Sequence, residues 1–397
     1  MSAVVILLAC AAPDPDLPRD SELGDSTLGD SSSDSSPDSG EPSSELSWTA
    51  VSAEGGASGA DLAVAPDGEL YASWVRSGHA WVSTSVDGTN WSEPVVVNSS
   101  GSASVYGASH PELVVDDDRV IVSMSAGERQ VVYGSSRTAL DFAELAVIGE
   151  GRGDLHFEGI FLRAHLAPDG SVWATYHAFP AGSWDNGWKG IARETADWEL
   201  EPVSTGAPGV PCECCAHDLL FTQNSDVVFA WRNNEDDIRD MYAASGHAGF
   251  DSWTAAGDVH PVINYCPVQG PRLAEEPGGE LLMIWADGVE GEYETFLATS
   301  TDGGESWSPS SAVLSELEGQ RASPNMAVAP DGRALLGWTS PTDESGLAWR
   351  SGGEWAGLGD LEREGVALSY PELVAGEGFF GGIAADDSGD VWLFQLP

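Results

Sequence analysis

A unit of about fifty residues recurs along this chain and constrains its fold more than any other feature. Each unit places an apolar strand, a tight turn and a second strand in succession, most clearly at Leu62–Trp74, His165–Trp173 and Met326–Trp338. Pro-Asp-Gly forms the turn in these copies, because proline presets φ and glycine accepts a positive φ. Four weaker copies bring the number of turns to seven, spaced 46 to 56 residues apart. Such a period predicts an array of like structural units.

A second series alternates with the turns. Each unit carries an aromatic residue that opens a later strand: Trp48, Trp91, Phe142, Trp198, Trp253, Trp307 and Trp355. Residues 300–307 match the pattern S-x-D-x-G-x-x-W, and residues 85–91 are a variant one residue shorter. Both segments resemble the Asp-box motif, and the resemblance implies that the carboxylate accepts hydrogen bonds from the N–H groups of its own hairpin and that the tryptophan packs under the turn. We therefore predict a structural role for Asp302 and Asp87.

With these motifs the chain resembles the sialidase-like β-propellers that carry BNR/Asp-box repeats, over roughly residues 47–397. The resemblance implies an all-β propeller whose four-stranded blades surround a central channel. We predict seven blades, with six, the number in sialidases, as the alternative. The C-terminal blade lacks its outer strand, and the segment from Trp48 to Val51 can supply it. Pairing of the two chain ends would close the ring and remove exposed sheet edges.

The N-terminal fifty residues differ in composition from the rest. Residues 3–8 are apolar and lead into Leu-Leu-Ala-Cys10, which resembles a bacterial lipobox whose cysteine is lipidated. We predict three regions: a lipoprotein-type signal segment and lipobox (1–10), a disordered acidic Ser/Asp/Pro tether (11–46) and the propeller (47–397). The expected location is the bacterial outer membrane or cell surface, with the lipid as the only membrane contact.

The charge balance excludes one class of function. The chain has 64 Asp and Glu against 16 Lys and Arg, for a formal net charge of −48. Nucleic-acid binding needs clustered basic side chains, so no nucleic-acid partner is expected. Charge of one sign favours solubility, and we expect a monomer.

Polar residues gather where the propeller topology places the channel mouth. Connections between blades and the loops between second and third strands meet on this face. We predict that a glycan or another small ligand is bound there by His110, His156, His177, Arg232, Arg272, Arg321 and Asn325. The alternative is that these loops are polar only because they are exposed.

The resemblance to sialidases implies an arginine triad for a substrate carboxylate, a Tyr nucleophile with a Glu partner, and an Asp acid/base. Arg232, Arg272 and Arg321 are candidates for the triad. By position, Tyr370 could act with Glu372 or Glu158. The Arg-Ile-Pro type motif of the family is absent and no Tyr–Glu pair matches by motif, so the catalytic residues stay unknown. A ligand-binding surface lipoprotein is therefore the first hypothesis, and an exo-α-sialidase-like glycoside hydrolase the second.

Cysteines form the strongest local signal. Cys212, Cys214, Cys215 and His217 lie in one connection, and Cys266 lies in the next. Disulfides Cys212–Cys215 and Cys214–Cys266 are the easiest pairing in an exported protein. Alternatively the thiolates and the imidazole hold Zn²⁺ or Cu(I), which would make this a metal-binding propeller, or the thiols are free. The acidic runs 116–118 and 235–237 could bind Ca²⁺, although neither has EF-hand spacing.

Overall fold

The computed structural model describes residues 46–396, except 107–108, 128, 158–160, 184–185, 247–249, 251, 259, 261–269, 290–291, 316, 318 and 377–378. Within these residues the chain is all-β, with seven sheets and no helix. The sheets are the blades of a β-propeller, which confirms the predicted fold with seven blades rather than six.

Strand bounds follow the chain. The first strand, β1 (Ser47–Ser52), belongs to blade seven. Blade one contains β2 (Ala57–Val64), β3 (Leu70–Arg76), β4 (His79–Ser85) and β5 (Val95–Val96). Blade two contains β6 (Glu112–Val115), β7 (Arg119–Ala126), β8 (Arg129–Ser136) and β9 (Ala143–Val147). Blade three contains β10 (Leu155–Phe157), β11 (Arg163–Leu166), β12 (Val172–Pro180), β13 (Trp188–Arg193) and β14 (Glu199–Pro202).

The second half of the ring repeats this order. Blade four contains β15 (Val210–Pro211), β16 (His217–Phe221), β17 (Val227–Asn234), β18 (Met241–Gly246) and β19 (Ser252–Ala255). Blade five contains β20 (Arg272–Glu275), β21 (Leu281–Val289), β22 (Glu292–Ser300) and β23 (Ser311–Ala312). Blade six contains β24 (Asn325–Val328), β25 (Ala334–Thr339), β26 (Ser345–Ser351) and β27 (Glu354–Asp360). Blade seven contains β28 (Glu362–Arg363), β29 (Val366–Gly376), β30 (Phe379–Asp386) and β31 (Val391–Gln395).

The inner strands of neighbouring blades contact one another in a closed circle. The contacts run in chain order through β2, β6, β11, β16, β20, β24 and β29, and β29 returns to β2. Within each blade the strands are antiparallel, so the start of every inner strand lies at the same end of the channel. Side chains at equivalent positions of these seven strands are therefore brought to one level.

The two ends of the chain close the ring as predicted. Strand β1 pairs antiparallel with β31 and becomes the outer strand of blade seven. Trp48 lies opposite Phe394 in this pairing, with ring centroids 5.7 Å apart. The N-terminal strand thus supplies the outer strand that the C-terminal part of blade seven lacks.

Apolar residues fill the spaces between blades. Between blades one and seven, for example, Trp74, Leu62 and Ile383 are buried in one cluster. Between blades five and six the buried cluster includes Leu282, Ile284 and Leu336. The core is thus a circle of inter-blade layers around a polar centre.

The two motif hairpins carry the hydrogen bonds that their sequences predict. Asp302 accepts from the N–H of Ser306 at 2.9 Å and from the hydroxyl of Ser300 at 2.8 Å. Asp87 accepts from the N–H groups of Thr89 and Asn90, both at 2.8 Å. Both hairpins join the third strand of a blade to its outer strand, at the end of the channel away from the start of the inner strands.

No helix found in the described part of the chain has the length and apolar character needed to cross a membrane.

Candidate functional site

A polar cavity of about 450 Å³ lies among the inner strands. Every blade contributes a polar residue to its lining from the same position of its inner strand, and blade three also contributes His165. We call the seven equivalent residues the channel ring: Asp61, Glu112, Arg163, Asp218, Arg272, Asn325 and Glu372. Six of them are buried, and Arg163 is partly buried. The cavity is therefore lined by acceptors and donors held in fixed positions.

The turn of each unit sets the position of its ring residue. Asp61 precedes the turn residue Pro66 by five positions, and Arg163 precedes Pro168 by the same interval. Because side chains alternate between the two faces of a strand, an equal distance from the turn gives an equal orientation. The repeat therefore places one ring residue per blade.

In blade seven a β-bulge adjusts this position. The register between β29 and β30 shifts between Ser369 and Glu372, so three residues on β29 span two on β30. Tyr370 within the bulge has φ of 51°, in the left-handed region. A bulge adds one residue and redirects the side chains that follow it. Here the side chain that follows is Glu372, which lines the cavity.

Glu372 is the most connected carboxylate of the channel ring. Its Oε1 lies 2.8 Å from Nε2 of His110 and 3.5 Å from Nη2 of Arg272. Its Oε2 accepts a hydrogen bond from the amide of Asn325. Side chains from blades two, five and six thus contact one carboxylate from blade seven.

Arg163 organises the other side of the cavity. Its Nη2 donates to Oε2 of Glu112 at 2.7 Å, and its Nη1 lies 3.4 Å from Oδ1 of Asp218. These side chains come from blades two, three and four. The guanidinium therefore holds two neighbouring carboxylates in place.

Two ring carboxylates also join adjacent inner strands. Asp61 accepts a hydrogen bond from the N–H of Leu113 at 2.5 Å, and Asp218 accepts one from the N–H of Leu273 at 2.9 Å. In both cases a side chain of one blade bonds the backbone of the next. Part of the channel ring is therefore structural.

Burial and neighbouring charge shift the pKa values of the ring. Burial, followed by the nearby Glu112, raises the pKa of Asp61 to about 8. Burial alone would lower the pKa of His110, but Glu372 and Glu112 raise it to about 10. Burial also raises the pKa of Glu112 and of Asp218. At neutral pH Asp61 can hold a proton while His110 is charged.

The same sector contains three groups that could hold a cation. Asp61, His110 and Glu112 each place one ligand atom within 4.8 Å of the other two. The charge on His110 and its contact with Glu372 oppose such binding at neutral pH. Among the described residues, neither acidic run considered for Ca²⁺ brings three ligand atoms together. In the first run, Asp116 instead accepts from the N–H of Asp118 at 2.8 Å and pairs with Arg119.

The structure does not bring the three candidate arginines together. Arg272 belongs to the channel ring, but neither Arg232 nor Arg321 is among the described residues that line the cavity. Arg232 is fully buried, pairs with Asp287 and donates to backbone carbonyls. Arg321 donates to the carbonyls of Leu317 and Gly319 in its own loop.

The other predicted ligand and catalytic residues have different surroundings. His110, Asn325 and Glu372 belong to the network just described. His156 lies beside the ring of Phe179, away from the described cavity lining. Tyr370 does not line the described part of the cavity, and burial raises its pKa. Two predicted residues of this group remain. Glu158 lies outside the described residues, and His177 lies beside the backbone of Glu213 in the cysteine cluster.

One ring residue was missed by sequence reasoning. Blade three was expected to present His156 and Glu158, whereas Arg163 occupies the ring position. The five-residue interval before Pro168 was the signal that could have found it. Asp61, Glu112 and Asp218 are recognisable at the starts of their inner strands but were not selected as ligand-binding residues.

The cysteine cluster lies in the connection from β15 to β16. Cys212 and Cys215 are joined by a disulfide, as expected, with Cα atoms 5.5 Å apart. The Sγ of Cys214 lies 3.9 Å from that of Cys212. Its predicted partner, Cys266, lies outside the described residues, and so does the predicted lipidation site, Cys10.

Two buried histidines accompany these cysteines. His177 on β12 is 1% exposed and His217 at the start of β16 is fully buried. Burial, followed by the charge of Lys189, lowers the pKa of both imidazoles well below the usual range. Both rings are therefore neutral at pH 7.

Comparisons with solved structures find the propeller fold. Polysaccharide lyase Uly1 matches with a TM-score of 0.56 at 9% identity, covering 85% of this chain and 90% of that chain. Virginiamycin B lyase from Staphylococcus aureus, solved with quinupristin, matches with a TM-score of 0.55 at 10% identity, covering 89% and 100%. An α-L-arabinanase from Penicillium chrysogenum, complexed with arabinobiose, matches with a TM-score of 0.51 at 13% identity, covering 77% and 97%.

These identities show a shared fold and leave activity open. The NanB sialidase from Streptococcus pneumoniae is also matched, with a TM-score of 0.44 at 11% identity, covering 85% of this chain and 68% of that chain. No protein-family model matches the chain, and no curated protein matches it significantly. The chain is therefore defined as a seven-bladed β-propeller with a polar central cavity.

Proposed function

We propose that this propeller binds a carbohydrate in its central cavity, with the channel ring as the hydrogen-bonding surface. The observation that carries the proposal is the convergence of seven polar side chains, one from each blade, on a cavity of about 450 Å³. Sugar hydroxyls both donate and accept hydrogen bonds. The ring offers carboxylate acceptors together with guanidinium and amide donors, which fits such a ligand.

Arg272 is the ring residue best placed to contact the ligand. Its contact with Glu372, at 3.5 Å, is the longest of the ion pairs within the channel ring. Arg163, in contrast, is held by carboxylates on two sides. The Arg272 guanidinium can therefore turn toward a ligand at a smaller energetic cost.

The names of two solved propellers support the substrate class. Uly1 is a polysaccharide lyase, and the arabinanase was solved with a disaccharide. Virginiamycin B lyase has the same fold and was solved with an antibiotic. Carbohydrate is thus a chemistry that this fold accommodates, and the specific glycan has to be found by experiment.

A glycan array probed with the chain, followed by calorimetric titration of the best ligand, tests the proposal. We expect Arg272→Gln to weaken binding about tenfold, the typical effect of losing one charged hydrogen bond. Arg333→Gln is the matched control, because Arg333 is half-exposed, pairs with Asp331 and lies over the ring of Phe380, outside the described cavity lining. Absence of any glycan ligand, or equal affinity of the Arg272 variant, would contradict the proposal.

Glycoside hydrolysis is the second candidate function. It is favoured by one observation: Asp61, with its pKa near 8, has a carboxylate oxygen within 4.8 Å of one of Glu112. Glycosidases pair a protonated carboxyl with an ionised one, and a separation of about 5–5.5 Å suits a retaining mechanism. Asp61 would act as the acid and Glu112, held by Arg163, as the nucleophile.

Fluorogenic glycosides, a sialoside among them, test this second function. We expect turnover to fall at least a hundredfold in Asp61→Asn, since general acid catalysis contributes about 10²–10⁴-fold. If the chain bound a glycan but hydrolysed none of the glycosides, the carbohydrate-binding proposal would stand and the hydrolase proposal would be contradicted.

We also propose that Cys10 is lipidated and that residues 11–46 tether the propeller to a cell surface. The lipobox-like sequence and the polar composition of the segment support this. Metabolic labelling with an alkynyl fatty acid in a bacterial host tests it. Label that is absent from the parent chain, or retained in Cys10→Ser, would contradict it.

A further inference from the structure

The channel cavity is deeper on one side than on the other. In blades one, five, six and seven its described lining stops at the residue after the ring residue: Leu62, Leu273, Met326 and Leu373. In blades three and four the lining continues to the third residue after the ring residue, Leu166 and Phe221. Because a strand rises about 3.3 Å per residue, this side of the cavity extends about 10 Å beyond the channel ring. It leads toward the turns at the other end of the inner strands.

The walls of this deeper side are apolar. We call its residues the inner lobe: Val114, His165, Leu166, Leu220 and Phe221. All five are partly exposed, and the four apolar ones also pack against the buried clusters between blades. The ring of Phe221, for example, lies 5.0 Å from that of Trp173 between centroids. The inner lobe is therefore an apolar surface that faces the cavity and is held from behind by the core.

The inner lobe offers a ligand no charge. His165 is its one titratable side chain. Burial, followed by the charge of Arg163, lowers the pKa of His165 to about 3, so its imidazole is neutral at pH 7. Charged groups of the cavity thus belong to the level of the channel ring, and the lobe beyond it is uncharged.

The channel ring and the inner lobe together form an amphipathic cavity of about 450 Å³. Hydroxyls of a sugar find carboxylate, guanidinium and amide partners at the ring. A hydroxyl placed in the inner lobe would give up its hydrogen bonds to water and find at most the His165 imidazole as a partner, which is costly. A ligand that fills both parts therefore carries its hydroxyls at one end and an apolar group at the other.

We propose that the ligand is a sugar with an alkyl or aryl substituent and that this substituent occupies the inner lobe. The inference rests on the carbohydrate-binding function proposed above and adds the apolar group to it. The sugar lies at the level of the channel ring, where Arg272 can donate to it. Burial of the substituent against Val114 and Leu220 supplies affinity in proportion to the apolar area removed from water.

Methyl and pentyl glycosides of one sugar form a matched pair, because they differ only in the length of the alkyl chain. Calorimetric titration of the full chain with such pairs tests the proposal, using D-glucose, D-galactose, D-mannose and L-arabinose as both anomers. For a sugar that binds, we expect the pentyl glycoside to bind about tenfold tighter or more, since each buried methylene contributes about fourfold in affinity.

Two variants place the alkyl group. Leu220→Asn exchanges an apolar side chain for a polar one of similar shape, and Val114→Thr adds a hydroxyl at nearly constant size. We expect either variant to lose most of the preference for the pentyl glycoside and to keep the affinity for the methyl glycoside. Leu200→Asn is the matched control, since Leu200 is also partly buried but lies on the outer strand of blade three, outside the described cavity lining. Circular dichroism shows which variants are folded, and only those are compared.

The outcomes separate this inference from the proposed function. Equal affinity for methyl and pentyl glycosides would overturn the inner-lobe proposal and leave carbohydrate binding standing. A pentyl preference that persists in the folded Leu220→Asn or Val114→Thr chain would also overturn it, because the alkyl group would then lie elsewhere. If no glycoside of either length bound, both proposals would be contradicted.

Discussion

Nε2 of His110 lies 2.8 Å from Oε1 of Glu372, although the two residues are 262 positions apart. His110 precedes the inner strand of blade two, and Glu372 lies on the inner strand of blade seven. Both side chains are buried, with 0% and 7% exposure. The contact therefore spans blade one and links the beginning of the repeat array to its end.

Glu372→Gln should destabilise the propeller by about 3 kcal/mol, because breaking a buried ion pair leaves an uncompensated charge. The amide can still accept from Asn325, but the charge opposite His110 and Arg272 is lost. Urea denaturation followed by tryptophan fluorescence measures the change. Glu364→Gln is the control, since Glu364 is exposed and its ion pair is with its neighbour Arg363. A stability loss no larger than that of the control would show that the buried contact is unimportant.

Stability should fall between pH 6.5 and pH 10. The pKa of His110 is raised from 6.5 to about 10, so the native state keeps a proton that the unfolded chain releases. Its contribution is complete below pH 6.5 and is lost as the pH rises through 10, at up to about 1.4 kcal/mol per pH unit. Asp61, with its pKa raised to about 8, acts in the same direction at lower pH.

Denaturation midpoints at pH 6.5, 8 and 9.5 measure this slope, and a His110→Gln variant should have a flatter profile. A parent profile that is level or rises over this range would disprove the assignment.

Arg232→Met should lower the free energy of unfolding by about 3–5 kcal/mol, because Asp287 would stay buried without its counter-charge. The pair has 0% and 1% exposure. Adding Asp287→Leu should restore part of this loss, since an apolar pair avoids the desolvation cost. Ligand affinity of the folded fraction should be unchanged, because Arg232 is absent from the described cavity lining. If Arg232→Met lowered ligand affinity and left the free energy of unfolding unchanged, Arg232 would have to be assigned to the binding site.

Trp48→Ala should destabilise the ring closure by about 2–3 kcal/mol, in line with large-to-small substitution at a packed site. Trp48 packs against Phe394 where the two chain ends pair. Thermal melting and limited proteolysis measure the loss, and cleavage is expected first in blade seven. Trp253→Ala is the matched control, since Trp253 is 38% exposed on an outer strand far from the closure. Equal effects of both substitutions would argue against a special role for the closure.

Sequence patterns were sufficient for the fold because they are local. Turn chemistry and apolar runs define each blade within about fifty residues, and counting the units gives seven. The closing strand was also predictable, since the last unit lacks one strand and the segment at Trp48 has the required pattern. A count of five residues back from each turn would even have identified Arg163 as a ring residue.

The pairings inside the channel could not be predicted in the same way. Arg232 was expected at the channel mouth, but its side chain pairs with Asp287 between blades four and five, 55 positions away. Strand position shows which residues are at one level of the channel. It does not show which neighbour, backbone carbonyl or cavity a long side chain reaches.

The sequence by itself determined the architecture: seven like units, a closure between the chain ends, and a polar residue at a similar distance from the turn in each inner strand. Only the tertiary structure decided that Glu372 contacts His110, Arg272 and Asn325, and that His177 lies beside the cysteine connection. The physical reason is that turns and strand periodicity act over a few residues, whereas these contacts exist only after the ring has closed. Closure brings together side chains from blades far apart in the chain, and their burial and charge then set the chemistry of the cavity.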